Sequence, residues 1–575
     1  MFARTAWTAV KTASTQPRYV RSSLLAAGGA ATLLGVYTLT ASPFQADAPA
    51  TPFVPPPPTE HRFPLLSTYA WGNNKARTAA PSSSAARLPV PTHEPLFDGV
   101  GFRDVQITDT LGVAIDADGH LVQWGPAFDA DHPCTPTKTQ AGYDLQRVQI
   151  SGQKIYALTR GGHIYVFPTK KAMDAAPSSG TTWLGTASKE GRLQADAKFT
   201  EIAAGAHHVL ALSRDGRVYS VPSDAHANDY GQLGYSNVKL TSMDPNSSTL
   251  VDARLEPKVV RKARLGTAEP APATSTAVPC ADTELQYAPV LRPIPSLQDV
   301  RIAQIAAGSL HSVARTPDGR VLTWGCNMQG QLGLGARLTF DTIAVPSEVS
   351  WPTSLVGKQA TCTQIAAGGM NTFFVVQSRG APMDNETRKQ QPALSSRIDV
   401  LAVGGGQRGT LGHGQRNQAY GVPVRVKGVS GLQEYSEQTH SMQPIGVHAI
   451  SVGASGHCAV VMDAPSLGDE TRRDVYVWGN NDQAQLGHGK KGGHTAVPSL
   501  LTLVPRTASP TSHADGAPDA ADNEEESSMP LHRILLVSRA KERVQTFDHT
   551  ERRGRAVEQR IVAGESCMAI YPAVL

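Results

Sequence analysis

One short unit, a strand, a tight turn and a returning strand, recurs along this chain and restricts its fold more than any bulk property. It is clearest at Arg301–Gly335, RIAQIAAGSLHSVARTPDGRVLTWGCNMQGQLGLG. Ile302–Ala307 reads as a strand ended by Gly308, and Ser309–Arg315 alternates into a second strand. Asp318-Gly319 marks a two-residue hairpin, whose primed turn needs positive φ. Val321, Leu322 and Trp324 form the returning strand that Gly325 ends, and Gly330-Gln331-Leu332-Gly333 reads as a structured turn around one buried leucine. A single hairpin of this kind is marginal in water, so each copy must be covered by its neighbours.

Two half-signatures can be followed separately. An isoleucine–small–small–glycine strand occurs around Val105, Val148, Ile202, Ile305, Ile365, Ile450 and Ile561. A Val-x-x-Trp-Gly strand occurs around Tyr69–Gly72, Leu121–Gly125, Ile164–Phe167, Val218–Val221, Val321–Gly325, Val400–Gly404 and Val475–Gly479. The chain starts on the second type without its partner and finishes on the first type, Arg560–Pro572, also unpartnered. If the two ends complete one shared blade, a ring closes and open β edges are removed. The expectation is an all-β, seven-bladed β-propeller closed by pairing of N- and C-terminal strands and preceded by a single transmembrane helix.

The AAG-x-x-H…DG-x-V-x-x-WG…GQLG pattern resembles the repeat of the regulator-of-chromosome-condensation family of seven-bladed propellers. Arg301–Gly335 and Phe199–Gly234 carry it best, followed by Ile450–Gly489; in residues 103–170 Trp124-Gly125 is present while Val166-Phe167-Pro168 replaces the second Trp-Gly. The resemblance covers residues 65–575.

Residues 1–46 contain no Asp or Glu, and Arg4, Lys11, Arg18 and Arg21 lie among Ser, Thr and Ala. This is the composition of a mitochondrial transit peptide, placed at 1–22. Ser23–Ala41 is an uncharged apolar run of near-spanning length, expected to be the transmembrane helix at 23–41. Residues 42–64, with Pro55–Pro58 in a row, read as a semi-rigid linker. Basic residues precede the span and none lies between Ser42 and His61, so the expected topology puts the propeller in the intermembrane space rather than the matrix. The propeller, 65–575, is interrupted by insertions at 236–298, 379–397, 427–447 and 500–549. The first reads as a long mobile loop. The last holds the acidic stretch Asp515–Glu526 and an apolar run, His532–Ser538, of strand character.

The chain has 53 basic and 49 acidic residues, and the four basic residues of the leader account for the whole excess. No general nucleic-acid footprint remains, so no nucleic-acid partner is expected. The cysteines, Cys134, Cys280, Cys326, Cys362, Cys458 and Cys567, show no metal-ligand spacing. Asn246 and Asn385 head glycosylation triplets, which matter only in a secreted chain.

Several stretches imitate chemistry. Gly404-x-Gly406-x-x-Gly409 satisfies a dinucleotide fingerprint but runs into a Leu-Gly-His-Gly turn instead of a helix. His207 and His208 are strand neighbours pointing to opposite faces, so they cannot share an ion. His208 and His311 lie three residues after a repeat glycine, where Asn371 and Cys567 also sit, which is the mark of a structural position. Trp71, Trp124, Trp324 and Trp478 read as packing between repeats. No catalytic residue, cofactor-binding residue, metal ligand or cofactor is expected.

Function follows from class. A propeller displays loops on a rigid frame, which suits protein binding. Fungal mitochondrial members of the family that this chain looks like include an inner-membrane propeller needed for biogenesis of the cytochrome bc1 complex. The resemblance therefore implies a non-catalytic scaffold for respiratory complex III assembly, with assembly intermediates as protein partners. A different reading is guanine-nucleotide exchange on a small GTPase, the activity of the founding member.

Overall fold

The computed structural model describes residues 60–62, 64–171, 191–241, 250–260, 278–279, 288–335, 340–356, 358–380, 396–416, 418–436, 440–463, 472–489, 492–503, 532–537 and 540–575. Across them the chain is built from strands joined by turns and single-turn helices.

The unit at Arg301–Gly335 shows why the sequence folds as it does. Gln304–Ala307 pairs antiparallel with His311–Arg315, which pairs with Val321–Cys326, which in turn pairs with Thr342–Glu348. The hairpin sits at Asp318-Gly319, where Gly319 takes φ 87°. A side chain there is strained and would also meet Thr361 at 2.4 Å. The Thr316 hydroxyl accepts from the Arg320 amide at 3.0 Å and holds the turn shut. The middle strand is buried along nearly its whole length because neighbouring sheets cover both of its faces. Its residues are accordingly apolar or paired polar groups, as a doubly covered strand requires.

The expectation of seven blades is corrected. Counted as hydrogen-bonded sheets, the described strands form five sheets of four or more strands, with two of three strands and one of two. Two causes are visible. The Ile164–Pro168 strand ends a three-stranded sheet, met on its outer edge only by the isolated bridge Tyr165↔Arg192. At the ends of the chain, a parallel bridge Ala573↔Phe102 fuses the terminal strands with the first repeat into one nine-stranded sheet. That sheet holds Thr68–Asn73 antiparallel to Cys567–Val574, with Tyr69 opposite Ile570 and Gly72 opposite Cys567. Glu551–Ala563 lies on the other edge of Cys567–Val574.

The expected transmembrane helix does not fall among the described residues, none of whose helices is long and apolar enough to cross a membrane. The stretch expected to form it, 23–41, lies outside the described residues, as do the leader 1–22 and the linker up to residue 59.

The insertions carry structure of their own. Where a long loop was expected at 236–298, Asn237–Thr241, Leu250–Arg254 and Val278–Pro279 form a small sheet. Val238, Ala253 and Leu255 from this region pack on Ala227 and Leu233. Within 427–447, Gln433–Ser436 and Ser441–Pro444 make a two-stranded ribbon. Within 500–549, His532–Val537 pairs antiparallel with Arg472–Gly479 and parallel with Glu60–Arg62. Residues 381–395 of the second insertion and the acidic stretch 515–526 lie outside the described residues.

Candidate functional site

The tryptophans expected between repeats are all buried, and each indole N–H donates to a loop carbonyl of the preceding repeat. Trp71 reaches Gln485 O at 2.8 Å, Trp124 reaches Thr78 O at 2.8 Å, Trp324 reaches Gln232 O at 2.9 Å and Trp478 reaches Thr410 O at 2.7 Å. The acceptor loops are fixed from within. Asn228, Asn327 and Asn481 accept through Oδ1 from the amides of Leu233, Leu332 and Leu486, and Gln232, Gln331 and Gln485 accept through Oε1 two residues back. The Gln-Leu-Gly turns at Gln232 and Gln485 are thus sockets for the indoles of Trp324 and Trp71, while the matching turn at Gln331 receives the Thr372 hydroxyl.

The position after the repeat glycine is a second pin. His208 Nε2 lies 2.9 Å from Ser312 Oγ, which itself donates to Gln232 O. The serine proton is committed, so the imidazole must be the donor. His311 repeats the arrangement, with Nε2 2.8 Å from Thr372 Oγ1 while Thr372 donates to Gln331 O. His457, which the sequence reading passed over, donates from Nε2 to Cys567 O at 3.0 Å and accepts at Nδ1 from Ser455 Oγ. Lys154 holds the same register and donates to Ser223 O. Burial pushes the pKa of His208 down to about 3 and those of His311 and His457 down to about 4, so all three are neutral. The thiols of Cys458 and Cys567 are pushed up by the same cause. These are poor acids and bases near neutrality, and no nucleophile is activated among them.

A collar of polar side chains laces the innermost strands. The paired register slips by one residue between Phe102 and Asp104, Leu145 and Arg147, Phe199 and Glu201, and Cys362 and Gln364. Bulges of this kind re-aim the following side chain. Asp104 accepts from the amide of Val148 at 2.9 Å, Glu201 from Ile305 at 3.3 Å and Gln304 from Ile365 at 3.0 Å, each on the next inner strand. Desolvation raises the pKa of Asp104 and Glu201, with Arg147 opposing the rise at both. The collar satisfies edge amides that would otherwise stay unpaired.

The Gly404–Gly409 segment ends in a single 3-10 turn at Gln407–Gly409, so no helix N-terminus faces a phosphate. His207 and His208 separate as expected: His208 is buried, whereas His207 turns outward to Asp224 at 2.7 Å. Among the described residues no group of three or more His, Cys, Asp or Glu is arranged to hold a metal.

Exposed apolar side chains occur on the repeats, at Met328, Phe340, Val345 and Val356, and on the insertions. On the ribbon of the third insertion, Tyr435 and Met442 are cross-strand neighbours, 59% and 52% exposed. The terminal hairpin, Ala540–Gln545 with Glu551–Ala563, presents Lys541, Arg543 and Arg553 to solvent. Its tip is held against the first repeat: Arg552 donates to both carboxylate oxygens of Asp118 at 2.8 Å, Lys138 pairs with Asp548, and Gln545 exchanges backbone bonds with Gly99 and Gly101. An aromatic–thioether pair and a basic ribbon on a stiff frame are features that contact proteins.

Family models of the regulator of chromosome condensation (RCC1) repeat match residues 302–331, 318–375 and 474–514. The chain is 22% identical over 487 residues to the mitochondrial protein FMP25 of Saccharomyces cerevisiae, covering 78% of this chain and 67% of that one. It is 24% identical over 389 residues to the mitochondrial RCC1 domain-containing protein RUG3 of Arabidopsis thaliana, covering 65% and 68%. Among solved structures, Prp20p of Saccharomyces cerevisiae, described with its binding properties to Gsp1p and histones, superposes with a TM-score of 0.50 at 14% identity. That alignment covers 89% of this chain and 92% of Prp20p, and at this identity the likeness is one of fold.

Proposed function

From the premise that this chain carries regulator-of-chromosome-condensation repeats, we propose that it is a mitochondrial protein-binding propeller that assists assembly of respiratory complex III at the inner membrane. The observation that carries the binding role is the division of labour in the fold. The indoles, the imidazoles of His208, His311 and His457 and the inner-strand carboxylates join repeats, while the ribbon Gln433–Pro444 faces outward with Tyr435 and Met442 and the terminal hairpin with Lys541, Arg543 and Arg553. The mitochondrial placement is supported by the acid-free leader, proposed to act as a targeting segment over 1–22, and by the two mitochondrial relatives.

Deletion of the gene is expected to lower complex III activity while matrix translation continues. Normal bc1 assembly in the null strain removes the complex III reading. Crosslinking in intact mitochondria should then recover assembly intermediates, and removal of Gln433–Pro444 should abolish their capture. Exchange activity on a small GTPase predicts faster nucleotide release from the purified GTPase; an unchanged rate removes it.

A further inference from the structure

In the third repeat, two imidazoles and two carboxylates gather at one turn, with Asp224 facing Lys154 and Asp229 buried beneath. His207 lies in the turn between Phe199–Ala204 and His208–Ser213; Asp224, His226 and Asp229 follow the strand Val218–Pro222. Asp224 Oδ2 is 2.7 Å from Nδ1 of His207, and Asp229 Oδ2 is 3.0 Å from Nδ1 of His226. Asp224 also accepts through Oδ1 from the backbone amide of His226 at 2.8 Å, tying the two pairs together. Lys258 contacts Asp229 at 2.7 Å and balances part of the negative charge.

In each pair a carboxylate holds Nδ1, which fixes the ring and leaves the Nε2 side of the imidazole as the donor face. This is the carboxylate–histidine arrangement that orients metal-bound imidazoles and raises their basicity. The rings stand 5.6 Å apart between centroids, with planes inclined at 64°. Two imidazoles bound to one ion at about 2.1 Å have centroids roughly 5 to 6 Å apart, so the observed separation suits a shared ion. Both side chains are open to solvent, at 33% for His207 and 60% for His226. No third protein ligand is in place among the described residues, so water must complete the coordination.

We propose that His207 and His226 form an open two-imidazole site for a divalent transition-metal ion of the zinc class, with Asp224 and Asp229 as orienting carboxylates. The site is independent of the assembly role. Its occupant is selected by nitrogen donors, which favour zinc-like ions over magnesium or calcium.

The test is calorimetric titration of the full chain with zinc chloride, repeated with cobalt(II) to read the ligand-field absorption. One zinc site is expected whose affinity falls at least about tenfold in His207→Gln and in His226→Gln, with loss of the cobalt band. Asp224→Asn, which keeps both imidazoles, should weaken binding by about 10- to 100-fold. Both histidines are solvent-accessible, so the variants should keep the wild-type melting temperature. Wild-type affinity in either histidine variant, or no zinc and cobalt binding by the native chain up to about 1 mM, overturns the proposal.

Discussion

Gly308 and His311 depend on each other. A Cβ at residue 308 would lie 2.0 Å from His311 Cε1, so Gly308→Ala must drive the ring off Thr372. A loss of about 2 kcal/mol or more is expected from that combination of overpacking and a broken buried hydrogen bond, measured by urea denaturation. Trp324→Phe keeps most of the ring but removes the donor to Gln232 O; it should cost about 1 to 3 kcal/mol in the same measurement. The buried imidazoles also set a pH dependence. His208, His311 and His457 have folded-state pKa values far below the ordinary 6.5, so below that pH the unfolded chain binds protons the folded chain does not. Stability should therefore fall as pH drops from about 6.5 towards 4, by about 1.4 kcal/mol per pH unit for each ring. A flat melting temperature across that window would contradict their neutrality. The register of His208 and His311 was legible because the turn glycine follows eight residues later in both. Lys154 obeys the same count before Gly162 but hides behind different chemistry, and His457 is displaced by the extra residue in Gly453-Ala-Ser-Gly456. The collar residues Asp104 and Glu201 were invisible because a bulge breaks the two-residue alternation on which strand reading relies.

Strands and hairpins divide into those the repeat dictates and those the insertions add. The Asp318-Gly319 hairpin and the Trp-Gly strands could be read from local sequence, since turn chemistry and alternation suffice for them. Sheet membership could be read only where the unpartnered half-signatures at the two ends pointed to each other, as Thr68–Asn73 and Cys567–Val574 do. The bridge Ala573↔Phe102 joins segments from opposite ends of the chain, and no local pattern announces it. The small sheet in 236–298 was obscured by Pro- and Ala-rich flanks, although Val238, Ala253 and Leu255 pack as a strand core does. The terminal hairpin is held to the first repeat by surface charge at Asp118 and Asp548. Exposed pairs contribute little to global stability and are screened by salt. Arg552→Ala should therefore leave the melting temperature unchanged while hydrogen exchange quickens over residues 540–557, and high salt should produce the same quickening in the native protein. Exchange that stays slow in the variant would show that the backbone bonds of Gln545 suffice alone.

At the scale of the whole molecule, the joint between Thr68–Asn73 and Cys567–Val574 governs cooperativity. Deleting residues 567–575 removes the strand that lies between Thr68–Asn73 and Glu551–Ala563, and with it Met568, the cross-strand partner of Trp71. Calorimetry on such a truncation should show a broad, low-enthalpy transition; a sharp native-like one would mean that each sheet stands alone. A contact spanning nearly the full sequence is among the last to form, because distant segments must find each other before any bond repays the lost chain entropy. Cys567–Val574 also leaves a ribosome long after Thr68–Asn73. Until it arrives, Thr68–Asn73 waits with one flank bare, and a bare flank is where strands from other molecules attach. A chain stitched in this way needs shelter for as long as its tail is still in transit, which makes the rate of delivery, as much as the finished fold, a determinant of how much of it survives.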